Sequence, residues 1–197
     1  MAPCLTPEAK ASEASGLLEQ ELVRLYQEHA TALSRYAASF AQNQEGARDA
    51  VQEVFLRYFV ERRYGREIGN PRAWLYHVLR NYLLDWHRTV ADREVIAENL
   101  DHMPGSQQNP ERILHRSELA RELEALLSNR EYECIRLRAE GLEYSEIGEA
   151  MGIRTGTVGA LLARAQNKIR RSAEHESMPF GNADAIRSLF ENHEAYS

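Results

Sequence analysis

Apolar residues in this chain recur at three- and four-residue intervals, and no strand-like alternation of apolar and polar positions rises above noise. That spacing gathers side chains on one face of a helix, and the face must be buried against another element. From Leu17 the pattern runs through Leu18, Leu22, Leu25 and Tyr26, then Leu33, Tyr36, Ala37 and Phe40, until Gly46 breaks it. Val51, Val54, Phe55 and Tyr58 form the stripe of a second helix that ends near Arg63, Tyr64 and Gly65. Asn70-Pro71 starts a third, because proline is tolerated in a first turn; Leu75, Val78, Leu79, Tyr82 and Trp86 mark its buried side. A later block repeats the pattern with Leu119, Leu123, Leu126 and Leu127, then Tyr132, Ile135 and Leu137. It closes on a short helix around Tyr144 to Met151, a turn at Gly152, and a longer helix from about Thr155 to Arg171.

Between the two blocks, Val90 to Pro110 changes character. It holds Asp92, Glu94, Glu98 and Asp101, then Met103-Pro104-Gly105-Ser106 and Asn109-Pro110, which reads as an acidic connector. The expected architecture is all-α, with two small helical domains joined by a linker. The expected boundaries are a flexible arm over 1–16, a first domain over 17–93, the acidic linker over 94–115, a second domain over 116–173 and a C-terminal extension over 174–197. In that extension Ile186, Leu189 and Phe190 could form a short amphipathic turn.

The net charge of −6 argues at first against nucleic acid, but its distribution does not. Val60 to Arg93 carries +3 and Arg154 to Arg171 carries +5, which leaves −14 elsewhere. Two basic segments in an acidic chain suggest two DNA-facing surfaces, with acidic surface left for a basic protein partner. Cys4 and Cys134 lie far apart and near no histidine cluster, so neither a disulfide framework nor a metal site is supported, and no cofactor is expected. There is no H-E-x-x-H, Walker loop, dinucleotide fingerprint or nucleophile elbow, and the chain is not expected to be an enzyme. No apolar run approaches the roughly 18 residues of a membrane span, and the N-terminus lacks signal-peptide regions. A cytoplasmic protein without membrane insertion is expected.

A short helix, a glycine turn and a longer basic helix make a helix-turn-helix, whose second helix enters the major groove by its N-terminal end. Ile147 and Met151 would meet Val158, Leu161 and Leu162 across the turn. Arg154, Thr155 and Thr157 then stand where base edges are read, and Arg164, Lys168, Arg170 and Arg171 suit phosphates further along. The wording here resembles the fourth conserved region of sigma factors, commonly L-R-x-x-G-L-S-Y-x-E-I-A-x-x-L-G-I-S-x-G-T-V-K-S-R-L-x-R-A-R. Leu137, Arg138, Gly141, Leu142, Tyr144, Glu146, Ile147, Gly152, Ile153, Gly156, Thr157, Val158, Leu162, Arg164 and Ala165 match. Arg154 stands where serine is usual, Gly159 for lysine or arginine, Ala160 for serine, and Leu161 and Gln166 for arginine. Were each cation a phosphate contact, the net loss of two would reduce the salt slope by about 1.8. Gly159 also weakens its helix by roughly 1 kcal/mol relative to alanine.

The first block carries a second resemblance. D-A-V-Q-E-V-F-L-R, from Asp49 to Arg57, is similar to the D-L-V-Q-E-V-F-L-R helix of the sigma second conserved region. With Val51, Val54, Phe55 and Tyr58 inward, Asp49, Gln52, Glu53 and Arg57 stay outside. The resemblance implies that this face grips a basic coiled coil of core RNA polymerase by charge-assisted pairing. Pro71 to Arg88 resembles the family's P-x-x-W-L-x-x-I-A-x-N-x-x-x-D-x-x-R, with Trp74, Asn81, Asp85 and Arg88 in place. That resemblance implies melting of a minus-ten element and capture of a flipped base. Arg62, Arg63, Tyr64, Arg66, Arg72, His77, Arg80, Asn81 and Arg88 are the candidate contacts, since cations track phosphates while aromatic faces stack on bases. At helical spacing Trp74, Tyr82 and Trp86 read as packing, whereas Tyr64 in a basic, glycine-containing loop is the better stacking platform.

Together these features resemble an extracytoplasmic-function sigma factor, with a region-two helical bundle and a region-four helix-turn-helix. The implied partners are core RNA polymerase, promoter DNA as duplex and as melted strand, and an anti-sigma factor. Two other readings stay open: a polymerase-associated regulator with weakened promoter reading, and a helix-turn-helix repressor that acts without polymerase.

Overall fold

The computed structural model describes residues 7–40, 44–94 and 121–174, and among them every regular element is a helix. The chain divides into two compact units, Met1–Ser106 and Gln107–Ser197. The division falls within the expected linker, whose residues 95–115 lie outside the described ones, as do those of the extension beyond Glu174. No described helix is long and apolar enough to cross a membrane.

The first unit contains α1 (Pro7–Ala38), α2 (Gln44–Arg63) and α3 (Pro71–Glu94), each packed on the other two. α1 begins inside the segment expected as a flexible arm. Proline starts it, and Glu8, Ala9, Lys10, Ala11 and Ala14 are strong helix formers, so propensity extends the helix upstream of any apolar stripe. Gly46 likewise does not break the chain. It lies within α2, and α1 has already ended at Ala38, upstream of the predicted break.

Leu25, Leu33, Tyr36 and Ala37 of α1 meet Val51, Val54, Phe55 and Tyr58 of α2, all buried. Ala47, Ala50 and Ala73 are also buried, and their small side chains let the helices approach closely. The face of α3 is turned slightly from the expected one, because Tyr76 and Leu83 are buried while Val78, Tyr82 and Trp86 are half-buried. Tyr36 joins the elements, with its ring 5.5 Å from Tyr76 and 5.1 Å from Phe40 in edge-on geometry. Asn70 caps α3 by accepting the Ala73 N–H at 3.1 Å, with Pro71 in the first turn as predicted.

Tyr58 is fully buried, and its hydroxyl donates to the Glu21 carboxylate of α1. Arg62, one turn on, pairs with the same carboxylate at 3.1 Å. Burial alone would raise the Glu21 carboxyl, but the hydrogen bonds from Tyr58 and Arg62, with the charges of Arg62 and Arg24, hold it below the usual carboxylate range. Burial, and then the bond to Glu21, push the Tyr58 phenol well above its ordinary value.

The second unit contains a helical segment described over 121–126 (α4), α5 (Asn129–Ala139), α6 (Tyr144–Met151) and α7 (Thr155–Glu174). α5, α6 and α7 pack on one another around Cys134, Leu137, Leu142, Ile147, Ala150, Val158, Leu162 and Ala165. α6 occupies the span read from the sequence, and α7 runs three residues past the expected end. Gly152 closes α6 in the left-handed conformation, at φ 65°, returning its N–H to Glu149 while Ile153 bonds Gly148. A β-carbon at Gly148 would lie 2.8 Å from the Ile153 carbonyl oxygen, so the turn approaches α6 too closely for any side chain there.

α5 starts with a capping box: the Ser128 N–H donates to Glu131 at 2.8 Å, and the Glu131 N–H to Ser128 Oγ at 3.4 Å. The Glu131 side chain, 4% exposed, also accepts Lys168 Nζ of α7 at 2.7 Å. Burial pushes this carboxyl up, but the bonds from Lys168 and Ser128 prevail and bring it to about 2.

Two outcomes are expected. Glu131 is depressed in the fold, from 4.5 to about 2, so its contribution is complete above pH 4.5 and is lost as pH falls towards 2. The loss is on the order of 2–3 kcal/mol, discounted for the part-exposed lysine. Urea midpoints taken across that window should fall more steeply for the native chain than for Glu131→Gln. At Gly159, a β-carbon would meet Tyr144 at an ordinary 3.8 Å. Gly159→Ala should therefore stabilise the second unit by up to about 1 kcal/mol in denaturant unfolding.

Candidate nucleic-acid and partner interfaces

α2 turns one face away from the core. Asp49, Gln52 and Arg57 on it are exposed and Glu53 is half-buried. Glu53 and Arg57 pair at 2.7 Å one turn apart, and the Arg57 guanidinium also sits 5.6 Å from the ring centre of Tyr82 on α3. The same face carries Leu56 and Val60, exposed despite their apolar side chains. Sequence reading passed over both. The signal was there in the spacing of seven and eleven residues from Asp49, which puts them on the acidic face and not in the core.

α2 ends in a Schellman closure. Gly65, at φ 83°, returns its N–H to the Arg62 carbonyl at 3.0 Å, and the Arg66 N–H reaches Glu61 at 3.1 Å. The contact that commonly seals this motif is apolar; here it is the Glu61–Arg66 ion pair at 3.0 Å. Arg62 Nη1 adds a bond to the Arg66 carbonyl at 3.2 Å. The turn thrusts Tyr64 outward, 86% exposed, with Arg63 and Arg66 exposed beside it.

Not all of the predicted minus-ten residues are therefore alike. Arg62 is held by Glu21 and the turn, while Arg63, Tyr64 and Arg66 face solvent. On α3, Arg72, His77, Arg80 and Asn81 are half-buried. His77 Nε2 and Asn81 Nδ2 lie 3.1 Å apart, and Arg80 donates to Asn81 Oδ1 at 3.4 Å, so these three form one polar cluster. The side chain of Arg88 lies outside the described residues.

In the second unit Arg154, Thr155 and Thr157 are exposed at the start of α7. The Arg154 carbonyl accepts the N–H groups of Thr157 and Val158, so the arginine stands at the helix entrance, with no acid in the first turn to oppose an anion. Arg130, from the first turn of α5, lines the same open groove, together with Ser145 and Glu149 of α6. Arg130 was missed in the sequence because it lies outside the helix-turn-helix. Arg164 is exposed, its Nε returned to the Ala160 carbonyl at 3.1 Å.

Lys168, read as DNA-facing, is paired with Glu131, while Leu161, which stands where the family has arginine, is 6% exposed and packs in the core as its spacing predicted. With position 161 turned inward, the net loss of cations falls to one, or about 0.9 in the salt slope.

Two family models match the chain: sigma-70 region 2 over residues 25–93, and bacterial regulatory proteins of the luxR family over residues 125–176. An ECF RNA polymerase sigma factor of Mycolicibacterium smegmatis, SigE, is 34% identical over 164 residues, which cover 80% of this chain and 62% of that protein. SigL of Mycobacterium tuberculosis, another ECF RNA polymerase sigma factor, is 31% identical over 157 residues, covering 77% of this chain and 89% of the relative. Among solved structures, CnrH in complex with the cytosolic domain of CnrY aligns with a TM-score of 0.59 at 22% identity, over 84% of this chain and 96% of that one. RpoE of Bartonella quintana, in complex with the anti-sigma factor NepR, aligns with a TM-score of 0.54 at 22% identity, over 80% and 97%. At that identity the two structures establish the fold, and the curated relatives the family. The chain belongs to the extracytoplasmic-function sigma factors of RNA polymerase.

Proposed function

We propose that this chain binds core RNA polymerase, carries it to promoters and holds the melted strand while transcription starts. The observation that carries the reading is Tyr64, an aromatic ring 86% exposed on a turn pinned by backbone bonds and flanked by two exposed arginines. A ring so placed has no role in the core and is pre-shaped to stack on an unpaired base, while Arg63 and Arg66 take the flanking phosphates. His77, Arg80 and Asn81 form the polar cluster that reads an extruded base. Asp49, Gln52, Glu53 and Arg57 meet basic polymerase surface, with Glu53 and Arg57 exchanging their mutual pair for intermolecular ones. Arg154, Thr155 and Thr157 read an upstream duplex element, with Arg164 on phosphate.

The working boundaries are 17–93 for polymerase docking and strand capture and 116–173 for upstream reading, with a tether between them. The action is binding, without catalytic chemistry of its own, and takes place in the cytoplasm. RpoE of Bartonella quintana was solved with an anti-sigma factor, and a partner of that class is proposed here too. The inward Leu161 removes one argument for a regulator that has lost promoter reading, because its side chain was not on the DNA face to begin with.

Purified chain mixed with core polymerase should initiate from a subset of genomic fragments; failure to bind core overturns the reading. Tyr64→Ala should weaken capture of a premelted promoter roughly 5- to 150-fold, the worth of one stacked base, with polymerase affinity retained. Asn81→Ala should impair open-complex formation more than polymerase binding. Arg154→Ala should lower the salt slope of duplex promoter binding by about 0.9 if it contacts one phosphate.

A further inference from the structure

The turn that presents Tyr64 is not held by its own backbone alone. One guanidinium group, that of Arg62, touches both the turn and the body of the unit: Nη1 donates to the Arg66 carbonyl at 3.2 Å, and Nη2 to Glu21 Oε2 at 3.1 Å. Because the guanidinium is planar and its donors stand at fixed angles, fixing one edge fixes the other. Glu21 is itself held, since its second oxygen accepts the hydroxyl of the fully buried Tyr58. Rigidity therefore passes from a buried phenol through a carboxylate of α1 and an arginine of α2 to the carbonyl that ends the Tyr64 turn.

We propose that Glu21 is a positioning residue for strand capture, acting through Arg62 to hold the Tyr64–Arg66 turn in its binding shape. This rests on the reading of Tyr64 as a stacking platform. Glu21 touches no nucleic acid; its effect is to remove the ordering that the turn would otherwise undergo when a base arrives. Arg62, counted among the DNA contacts by sequence, then has a different task. Both of its amino groups are occupied within the protein, and its Nε is buried without an acceptor.

The test is a thermodynamic cycle on the reconstituted holoenzyme. The probe is a genomic promoter fragment on which it initiates, prepared as a premelted bubble and as intact duplex. Glu21→Gln keeps an acceptor for Tyr58 but removes the charge that draws Arg62, and should weaken bubble binding about fivefold, the cost of ordering roughly one residue. Affinity for core polymerase should be unchanged. Arg62→Lys keeps a cation near Glu21 but cannot bridge to Arg66, and should show the same loss even if Glu21→Gln folds poorly. In a Tyr64→Ala background, either change should add less than it does alone, because only the phosphate contacts of Arg63 and Arg66 then still gain from a rigid turn. Full additivity with Tyr64→Ala, or no effect of either change on the bubble, overturns the inference and leaves the stacking reading intact. A Tyr64→Ala chain that binds the bubble normally overturns the stacking reading, and the inference with it.

Discussion

In each unit a carboxylate drawn partly or wholly out of solvent ties two helices together, Glu21 half-buried and Glu131 buried. Glu21 joins α1 to α2 through Tyr58 and Arg62, and Glu131 joins the start of α5 to the middle of α7 through Lys168. A carboxylate taken out of water is costly unless its oxygens are satisfied, and each of these accepts at least two donors. Apolar stripes decide that helices pack, but a stripe tolerates sliding and rotation. A charged group whose partners must all be met at once fixes one arrangement among those that the hydrophobic contacts allow.

The candidate surfaces are built outward from these fixed points. In the first unit Arg62 reaches from Glu21 to the carbonyl of Arg66, adding one bond to the backbone closure of the exposed turn. The second unit repeats the device, because Arg138 near the end of α5 donates to the Leu142 carbonyl at 3.0 Å, across the turn that leads into α6. An arginine in the last turn of a helix thus complements the helix dipole and also closes the loop that follows. The entry of α7 is fixed from the other side, where Gly148 leaves no room between α6 and the Ile153 carbonyl.

Much of this could be read from the chain alone, for identifiable reasons. Val51, Val54, Phe55 and Tyr58 are buried as their spacing demanded, and α6 occupies the expected residues, because a short amphipathic helix between glycine turns has few alternatives. The Asn70-Pro71 start holds for the same kind of reason, being a purely local signal. Pairings across space left no such trace. Arg62 and Lys168 look like free cations on basic segments, and only the packing brings each to a carboxylate about forty residues upstream. The capping box of Ser128 and Glu131 was legible and was overlooked, whereas the burial of the same glutamate was not legible at all. α3 misled by a fraction of a turn: Tyr82 and Trp86 are apolar enough to suggest a core face, but Tyr76 and Leu83 fill it.

Leu56 and Val60 carry a different kind of consequence. Exposed apolar groups on a helix face are stabilised when they leave water. Any protein that covers this face lowers the free energy of the folded form by an amount that grows with its concentration relative to its dissociation constant. Two proteins that need the same face cannot both sit there. Were the proposed polymerase and anti-sigma partners both to need it, the abundance of each would set how much of the chain the other could hold.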